Sequence, residues 1–349
     1  MTDPLRPMNL GEILDRTIQI YRSRFLVFVG IAAIPALVTM GAEVASYLFW
    51  GSISPYTLDL GFGITVGELG SMLGFYHFSL FSQLLIWPSF VLSVSGFYDS
   101  RQPVQTIRSA LRASASRWPG SLALASTLFA CVLVAPELIS AGVFIGVVYV
   151  SSEILKFDSG MMDLVMTPVL ILLLILGWAA IGWMSAELSF AIPSRTLEGL
   201  SVRAALRRSW TLTRQSRFRI FVGWLMPALI GWVLSLTASR FLFLLRASCI
   251  QDGLLSLQIR AIATVMPWHG WCVSAAAVEA IRIGLNAVIS TLLAPIYPIA
   301  ITLFYYDQRI RREGYDIERM MDEAGMIAPA TPPAEAGTIA RVAEEESTA

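Results

Sequence analysis

The chain has 349 residues, of which 56% are hydrophobic and only 14% are charged, and its mean hydropathy is +0.66. Soluble domains carry roughly 25% charged residues, so this composition excludes an ordinary soluble globular protein and predicts a membrane protein. The 25 basic and 25 acidic residues give a formal net charge of zero, which makes the position of each charge more informative than the total.

Six apolar runs follow one another along the chain. They cover residues 25–42, 78–98, 121–150, 167–186, 220–238 and 283–306. Each run is close to or longer than the roughly 18–20 residues that cross a bilayer core as a helix. None shows the alternation over about ten residues that is typical of a membrane-spanning barrel strand. The sequence therefore predicts an all-α membrane protein with six transmembrane helices.

A short basic amphipathic helix is predicted before the first, third and fifth spans, at residues 9–25, 106–118 and 201–218. In the first of these helices, Asn9 and Glu12 have the spacing of a capping box. The arginines that we take as candidates for contact with the lipid surface are Arg16, Arg22, Arg24, Arg108, Arg112, Arg117, Arg203, Arg207, Arg208, Arg214 and Arg217. One amphipathic helix and two spans thus recur three times, which predicts three parallel structural repeats.

The basic residues are concentrated on one side of the predicted membrane domain. Twenty of the 25 lie before the first span, between spans two and three, between spans four and five, or after span six. Because basic residues mark the cytoplasmic side of a membrane protein, both termini are predicted to be cytoplasmic. We expect one membrane domain over residues 1–320 and a disordered cytoplasmic tail over 321–349, where Ala, Pro, Thr and Glu predominate without apolar periodicity.

Two acidic residues are candidates at membrane depth: Glu137 falls within the third predicted span and Glu187 lies close to the inner boundary of the fourth, and ionisable residues at this depth are functional candidates. For Glu187 two interpretations stay open: a structural ion pair with Arg195 or an amphipathic-helix arginine, and a role in transport. Glu137 is expected deeper, within a long apolar stretch. Glu279 and Arg282 are spaced i,i+3 at the start of the sixth span, which predicts a local ion pair.

The sequence contains no pattern typical of an enzyme. It lacks the GxSxG, HExxH, Walker and dinucleotide-binding motifs. The two histidines, His77 and His269, have no partner at helical spacing, whereas a zinc site uses three or four clustered ligands. We therefore expect a non-enzymatic protein without a metal or other cofactor. Cys249 and Cys272 fall in the same outer connection, and both a disulfide and two free thiols stay open for them.

Two classes of function fit these features. The first is a non-enzymatic scaffold or a module that binds partners or the lipid surface. Its arginines would contact anionic lipid headgroups, or would only seal the cytoplasmic side of the bundle. Its candidate partners are membrane lipids, a second membrane protein and another copy of the chain, whereas nucleic acid is disfavoured because the basic residues are held at the lipid surface.

The second class is a permease for a small molecule or a lipid. Prolines kink helices, and kinked spans can enclose a cavity, although neighbouring helices can also pack against them without one. The prolines inside the predicted spans are Pro35, Pro88, Pro136, Pro227, Pro295 and Pro298. A polar cavity that contains Glu137 or Glu187 would favour the permease, and a dry bundle would favour the scaffold, which we prefer.

Three segments of the chain resemble a known family. They read "RPMNLGEILDRTIQIYRSRF" (6–25), "LEGLSVRAALRRSWTLTRQSRFR" (197–219) and "TLFYYDQRIRREGYDIE" (302–318). They are similar to the bacterial six-span proteins known as the glycerophosphoryl diester phosphodiesterase membrane domain. Some phosphodiesterases carry this region fused to a catalytic barrel. The resemblance implies the membrane fold and a location in the bacterial inner (plasma) membrane, but it does not imply phosphodiesterase activity.

The stretch "YYDQRIRREGYD" (305–316) is among the most specific parts of this resemblance. We expect it to continue the sixth span as a helix, with Tyr305 and Tyr306 in the interface belt of the membrane. Asp307 is expected to pair with an arginine from an amphipathic helix, because an unpaired carboxylate near lipid is costly. Arg311 and Arg312 complete this C-terminal motif.

Overall fold

The computed structural model describes residues 6–52, 66–98, 106–116, 118–154, 156, 159–214, 216–247, 275–323 and 326. All regular secondary structure in these residues is helical. The helices are α1 (Leu10–Ser23), α2 (Phe25–Ser52), α3 (Val66–Tyr98), α4 (Ile107–Ala115), α5 (Trp118–Phe129), α6 (Ala135–Tyr149), α7 (Ser159–Leu188), α8 (Ala191–Glu198), α9 (Val202–Thr213), α10 (Arg217–Ala247), α11 (Ala275–Leu293), α12 (Ile296–Glu313) and α13 (Tyr315–Glu323). Two π-helical turns, Ala130–Val134 and Val150–Ile154, flank α6.

Six helical stretches among the described residues are long and apolar enough to cross a membrane. They are Phe25–Leu48, His77–Tyr98, Trp118–Ser152, Leu164–Glu198, Arg217–Leu242 and Ala276–Glu313. Each of these stretches contains one of the six predicted apolar runs. The predicted fold class is therefore confirmed. The third span is built from α5, α6 and their π-helical turns, and the fourth from α7 and α8. The sixth span is built from α11 and α12.

The six spans pack in the order in which they follow one another along the chain. Helix α2 packs on α3, α3 on α5, α6 on α7, and α7 on α10. Helix α10 then packs on α11, and α11 packs back on α2, so the contacts between neighbouring spans run in a closed circuit. Side chains that point away from this circuit, such as those of Leu172 and Ile175, are apolar and exposed, as expected for a surface that faces lipid.

The best-packed core lies at one end of the bundle, where α1 packs on α12, α4 packs on α3, and α9 packs on α7 and α8. We call this the arginine-rich end. Helix α12 is buried along most of its length there, and α3 packs against both α8 and α12. Phe28, Phe90, Phe190 and Phe304 belong to one continuous apolar cluster. The arginine-rich end is therefore a conventional tightly packed core.

Two of the spans are interrupted near this core. The fourth is broken at Ser189 and Phe190, between α7 and α8, and the sixth is broken at Ala294 and Pro295, between α11 and α12. Proline has no backbone N–H and its ring clashes with the preceding helical turn, which explains the break in the sixth span. The prolines at 35, 88 and 227 lie inside continuous helices.

The predicted amphipathic helices begin with side-chain caps. At α1 the side chain of Asn9 accepts a hydrogen bond from the Glu12 backbone N–H, and the Glu12 carboxylate accepts one from the Asn9 backbone N–H, both at 2.8 Å. This confirms the predicted capping box. Thr106 and Ser109 form an equivalent box at α4, and Ser201 caps α9. The threefold repeat, however, stays a prediction.

The predicted boundary between the membrane domain and the tail falls at residue 320. Helix α13 continues three residues further, to Glu323. Apart from Met326, the remainder of the predicted tail lies outside the described residues, so its disorder stays a prediction.

Candidate functional site

The arginines predicted at the lipid surface fall into two groups. Those in the first group have exposed side chains and make no ion pair with a residue that the structure describes; they are Arg22, Arg108, Arg112, Arg203, Arg207 and Arg214. On α9, Arg203 and Arg207 lie one turn apart, and Arg214 follows two turns later, so the three share one side of the helix. The opposite side of α9 buries Ala205 and Leu212.

The second group is held by contacts within the fold. Arg24 lies over the ring of Phe97, with 4.3 Å between the guanidinium carbon and the ring centroid. Arg16 donates to the Gln19 side chain at 3.4 Å. Arg208 and Arg217 are the other two members, and each forms a short ion pair that is described below. Arg117 lies outside the described residues.

Arg208 is not a surface group, which corrects its place among the lipid-surface candidates. Its side chain is only 28% exposed. It donates to Glu198 at 3.1 Å and to Glu313 at 2.7 Å, so one guanidinium joins the end of α8 to the end of α12. Glu198 also accepts a short hydrogen bond from the hydroxyl of Tyr305. Because these contacts occupy the Arg208 guanidinium, it is not free to bind a phosphate group.

Glu187 is buried and forms an ion pair. Its Oε1 atom lies 2.6 Å from the Nε atom of Arg217, and its Oε2 atom accepts a hydrogen bond from the Thr213 hydroxyl at 3.2 Å. The guanidinium of Arg217 also lies near the rings of Trp183 and Trp210. Of the partners predicted for Glu187, the structure selects an arginine of the third basic segment.

Arg195, the other predicted partner of Glu187, is used elsewhere. Its Nη1 group donates to the Leu200 carbonyl at 2.7 Å. The guanidinium also fills the space beside Gly120, where a Cβ atom would overlap it. Arg195 therefore ties the loop after α8 to the start of the third span.

The expected position of Tyr305 and Tyr306 at the depth of the membrane interface stays a prediction. Both side chains are buried inside the bundle. The physical reason is that α1 and α9 pack on the second half of α12 and cover this turn. Tyr306 packs against the rings of Tyr98 and Tyr315, with centroids 5.3 Å and 6.0 Å away. The expected helical continuation of the sixth span through the motif is observed as far as Glu313.

Asp307 is buried in a network that holds the segment before α1. Its carboxylate accepts a hydrogen bond from the Met8 backbone N–H at 2.8 Å and from Arg311 at 2.9 Å. Arg219, near the start of α10, lies 3.7 Å away. Arg311 and Arg219 both donate to the Met8 carbonyl. The expected arginine from an amphipathic helix is thus replaced by one from α12 itself and one from α10.

The last residue of the motif, Arg312, donates to the Thr211 carbonyl of α9. Sequence reasoning missed Glu198, Arg219 and Glu313 as members of these networks. One signal was present for Glu198, because it is the single acidic residue between 188 and 251, inside the most basic part of the chain. An isolated carboxylate among arginines is a natural ion-pair partner.

Glu137 pairs with a histidine of the second span. Its Oε2 atom lies 2.8 Å from the Nε2 atom of His77, whose ring packs edge-on against Phe129. Glu137 follows Trp118 by about 28 Å of helix and lies near the middle of the third span, Trp118–Ser152, so its expected position deep in the membrane stays a prediction. His77 has its partner on a different span, which agrees with the absence of a partner at helical spacing in the sequence.

The predicted pair between Glu279 and Arg282 is confirmed. Arg282 donates two hydrogen bonds to Glu279, at 2.6 Å and 3.0 Å. Glu43, on α2, lies 3.7 Å from the same guanidinium. Its Oε2 atom is buried and accepts no hydrogen bond from within the described part of the chain.

A cavity of about 450 Å³ lies among the spans, and all six spans contribute to its lining. Three of the predicted span prolines line it, Pro35, Pro227 and Pro298. Neither Glu137 nor Glu187 lines it, and its walls are mainly apolar. A smaller recess of about 60 Å³ adjoins it between α2, α3 and α11.

Within the described part of the chain, no group of three or more His, Cys, Asp or Glu residues could hold a metal ion. Cys131 is exposed and makes no disulfide. His269, Cys249 and Cys272 lie outside the described residues, so the pairing of the two cysteines stays open.

Residues 159–317 match the sequence model of a family described as the membrane domain of glycerophosphoryl diester phosphodiesterase. The resemblance predicted from the sequence is confirmed over this part of the chain. The match contains the segment 197–219 and nearly all of 302–318, whereas the first segment, 6–25, lies outside it. No curated protein and no solved structure matches the chain.

Proposed function

Because residues 159–317 match the membrane domain of this family and not a catalytic domain, we propose that the chain is a non-enzymatic membrane module that binds anionic lipid headgroups through its exposed arginines. In this proposal the arginine-rich end faces the cytoplasm of a bacterial cell, and the protein organises lipid or a membrane partner at that surface.

The observation that carries the proposal is the division of the arginines into two groups. Arg208 and Arg217 are engaged by carboxylates, as arginines needed by a fold generally are. The exposed arginines of α4 and α9 have no such partner among the described residues. Guanidinium groups bind phosphate oxygens with two parallel hydrogen bonds, and each basic residue near an anionic leaflet contributes roughly 1 kcal/mol. A lipid phosphate is therefore a well-matched partner.

The placement of these arginines supports the same conclusion. Arg203, Arg207 and Arg214 share one side of α9, and Arg108 and Arg112 lie one turn apart on α4. Both helices bury their opposite sides against the bundle. This is the arrangement in which an amphipathic helix presents positive charge to a membrane surface.

The test is a triple variant, Arg203→Gln, Arg207→Gln and Arg214→Gln, in the full chain. Delipidated wild-type and variant proteins would be titrated with phosphatidylglycerol, and the bound lipid would be measured by native mass spectrometry. We expect weaker binding of phosphatidylglycerol by the variant and unchanged thermal stability. Added salt should reduce binding to the wild type in the same way, because salt screens exposed charges beyond about 8–10 Å.

The matched control is Arg208→Gln, which removes one positive charge from the same helix. Because Arg208 is bonded to Glu198 and Glu313, this variant should lower stability and change lipid binding little. If the triple variant binds phosphatidylglycerol as the wild type does, the exposed arginines are not a lipid site and the proposal is wrong.

A permease is the second candidate function; all six spans line one cavity, but that cavity is mainly apolar and contains neither Glu137 nor Glu187, so it does not meet the criterion set for a permease. Transport requires that the cavity be reached from both sides of the membrane in turn. A single cysteine at Ser290, which lines the cavity, would be introduced in a variant without native cysteines. Labelling by membrane-impermeant thiol reagents from both sides would support a permease, and labelling from neither side would contradict it.

A further inference from the structure

We propose that the central cavity and the adjoining recess together bind one amphiphile, with its hydrocarbon chain in the cavity and its polar head in the recess. The head is of a kind that donates hydrogen bonds and carries no net negative charge. This site lies on residues other than the exposed arginines, so it does not depend on the lipid-surface proposal, and it names a ligand class whether or not the protein transports it.

The cavity and the recess lie side by side. Pro35, Gln83, Ser290 and Ala294 line both of them. Along α2 the recess extends from residue 32 to Glu43, away from the arginine-rich end, and along α11 it extends from Ala294 back to Ile283. A single elongated molecule can therefore occupy both spaces, with one part toward the middle of the bundle and the other toward the end opposite the arginines.

The cavity suits the apolar part of such a molecule. Its volume of about 450 Å³ falls within the roughly 300–1,000 Å³ of typical small-molecule sites. The rings of Trp87, Phe90, Trp232 and Tyr297 line it, and no Asp, Glu, Lys, Arg or His side chain does. A charged group placed there would lack a counter-ion at membrane depth, which is costly. A hydrocarbon chain requires no counter-ion.

The recess, in contrast to the cavity, has several polar side chains in its lining. Glu43, Ser79, Gln83 and Asn286 supply polar side chains to a space of about 60 Å³. A space of this size admits a small polar group, since one water needs only about 10–15 Å³ measured in this way. The recess is therefore suited to a compact head and not to a second chain.

The charges around the recess decide the chemistry of the head. Arg282 donates two hydrogen bonds to Glu279, and its guanidinium lies 3.7 Å from Glu43. The buried Oε2 atom of Glu43 accepts no hydrogen bond from a residue that the structure describes, although a carboxylate oxygen has lone pairs for it. Two carboxylates facing one guanidinium leave an excess of negative charge. A hydroxyl or ammonium group is favoured there, and an anionic head is repelled.

The experiment compares a phospholipid that has an ammonium head with one that has a net negative charge. Full-length protein would be delipidated in detergent and titrated with phosphatidylethanolamine or phosphatidylglycerol, and bound lipid would be counted by native mass spectrometry. We expect one saturable phosphatidylethanolamine site in the wild type. Ser290→Phe, which places a ring where the cavity and the recess meet, should weaken this site at least roughly tenfold.

The matched control is Val288→Phe, on the same helix. Val288 is 54% exposed and lines neither space, so this variant adds the same ring to the outer surface and should bind as the wild type does. Ser235→Phe narrows the cavity from α10 and replaces Ser290→Phe if that protein does not fold. Equal binding by the cavity variant and Val288→Phe would mean that the lipid is only annular, which overturns the proposal.

Glu43→Gln tests the head separately. It keeps the shape of the side chain and removes its charge, so the preference for phosphatidylethanolamine over phosphatidylglycerol should fall roughly tenfold. A wild type that binds phosphatidylglycerol at this site as tightly as phosphatidylethanolamine would overturn the assignment of the head. The arginine triple variant should show the reverse pattern, losing phosphatidylglycerol and keeping phosphatidylethanolamine, so the two proposals can fail independently.

Discussion

The Nε atom of Arg217 lies 2.6 Å from Oε1 of Glu187, whose side chain is only 1% exposed. Glu187 is the second-last residue of α7, and Arg217 is the first residue of α10. The pair therefore joins the fourth span to the fifth. It does so next to α9. In the sequence Arg217 looks like a surface charge, but in the structure it holds two spans together.

Removing one member of this pair should destabilise the protein. Glu187→Gln is expected to lower the free energy of unfolding by roughly 3 kcal/mol, which is at the lower end for breaking a buried ion pair. The loss is not larger because Arg217 is 30% exposed and solvent screens part of the interaction. The loss would be measured by thermal or denaturant unfolding in detergent. Glu187→Leu combined with Arg217→Met should recover part of it, since no buried charge is then left alone. A single variant as stable as the wild type would contradict the structural role.

The Asp307 network should hold the segment that precedes α1. Asp307→Asn weakens the bonds from Arg311 and from the Met8 backbone N–H, and we expect a loss of about 2 kcal/mol. Hydrogen–deuterium exchange at Met8 should become faster. Asp316→Asn, on α13, is the control, because Asp316 makes no side-chain hydrogen bond or ion pair with a described residue. Unchanged exchange at Met8 would show that Asp307 does not fix this segment.

Two glycines on the third span should respond differently to alanine. At Gly120 a Cβ atom would overlap the Arg195 guanidinium, so Gly120→Ala must displace Arg195 from the Leu200 carbonyl. We expect a loss of roughly 1–2 kcal/mol. At Gly142 a Cβ atom meets nothing within 4 Å, and Gly142→Ala should be neutral or should stabilise the helix by up to about 1 kcal/mol. Equal unfolding temperatures for the two variants would contradict the contact.

The orientation of the spans can be tested with reporter fusions. If the arginine-rich end is cytoplasmic, fusions after residues 60, 155 and 255 should all report the periplasm, because positive residues are retained in the cytoplasm. An alkaline phosphatase fusion that is inactive at any of these positions, together with an active cytoplasmic reporter there, would overturn the predicted topology.

The features that could be predicted from the sequence depend on local spacing. The six apolar runs, the capping box at Asn9 and the pair between Glu279 and Arg282 are set by residues within one helix or one turn. The contacts that define the arginine-rich end are different. Tyr305 and its partner Glu198 are 107 residues apart, and Met8 and Asp307 are 299 apart. Helical periodicity places a side chain on a face but does not say which other helix will cover it.

The central cavity shows the same limit. Prolines inside spans are visible in the sequence, but a proline can lie within a well-packed helix or beside a space. Pro35, Pro227 and Pro298 line the cavity, whereas Pro88 is buried and does not. The distinction follows from how six spans pack around one another. Likewise, His77 and Glu137 come from different spans, and only the packing of α3 against the third span brings them together.

The break at Pro295 divides the sixth span into two halves with different surroundings. Helix α12 is anchored at the arginine-rich end through Tyr305, Asp307 and Arg312, whereas α11 forms a wall of the cavity and of the recess. Because proline cannot donate the hydrogen bond that would continue the helix, α11 and α12 are separate helices. The residue that ends one helix therefore also separates the wall of the cavity from the buried core of the arginine-rich end.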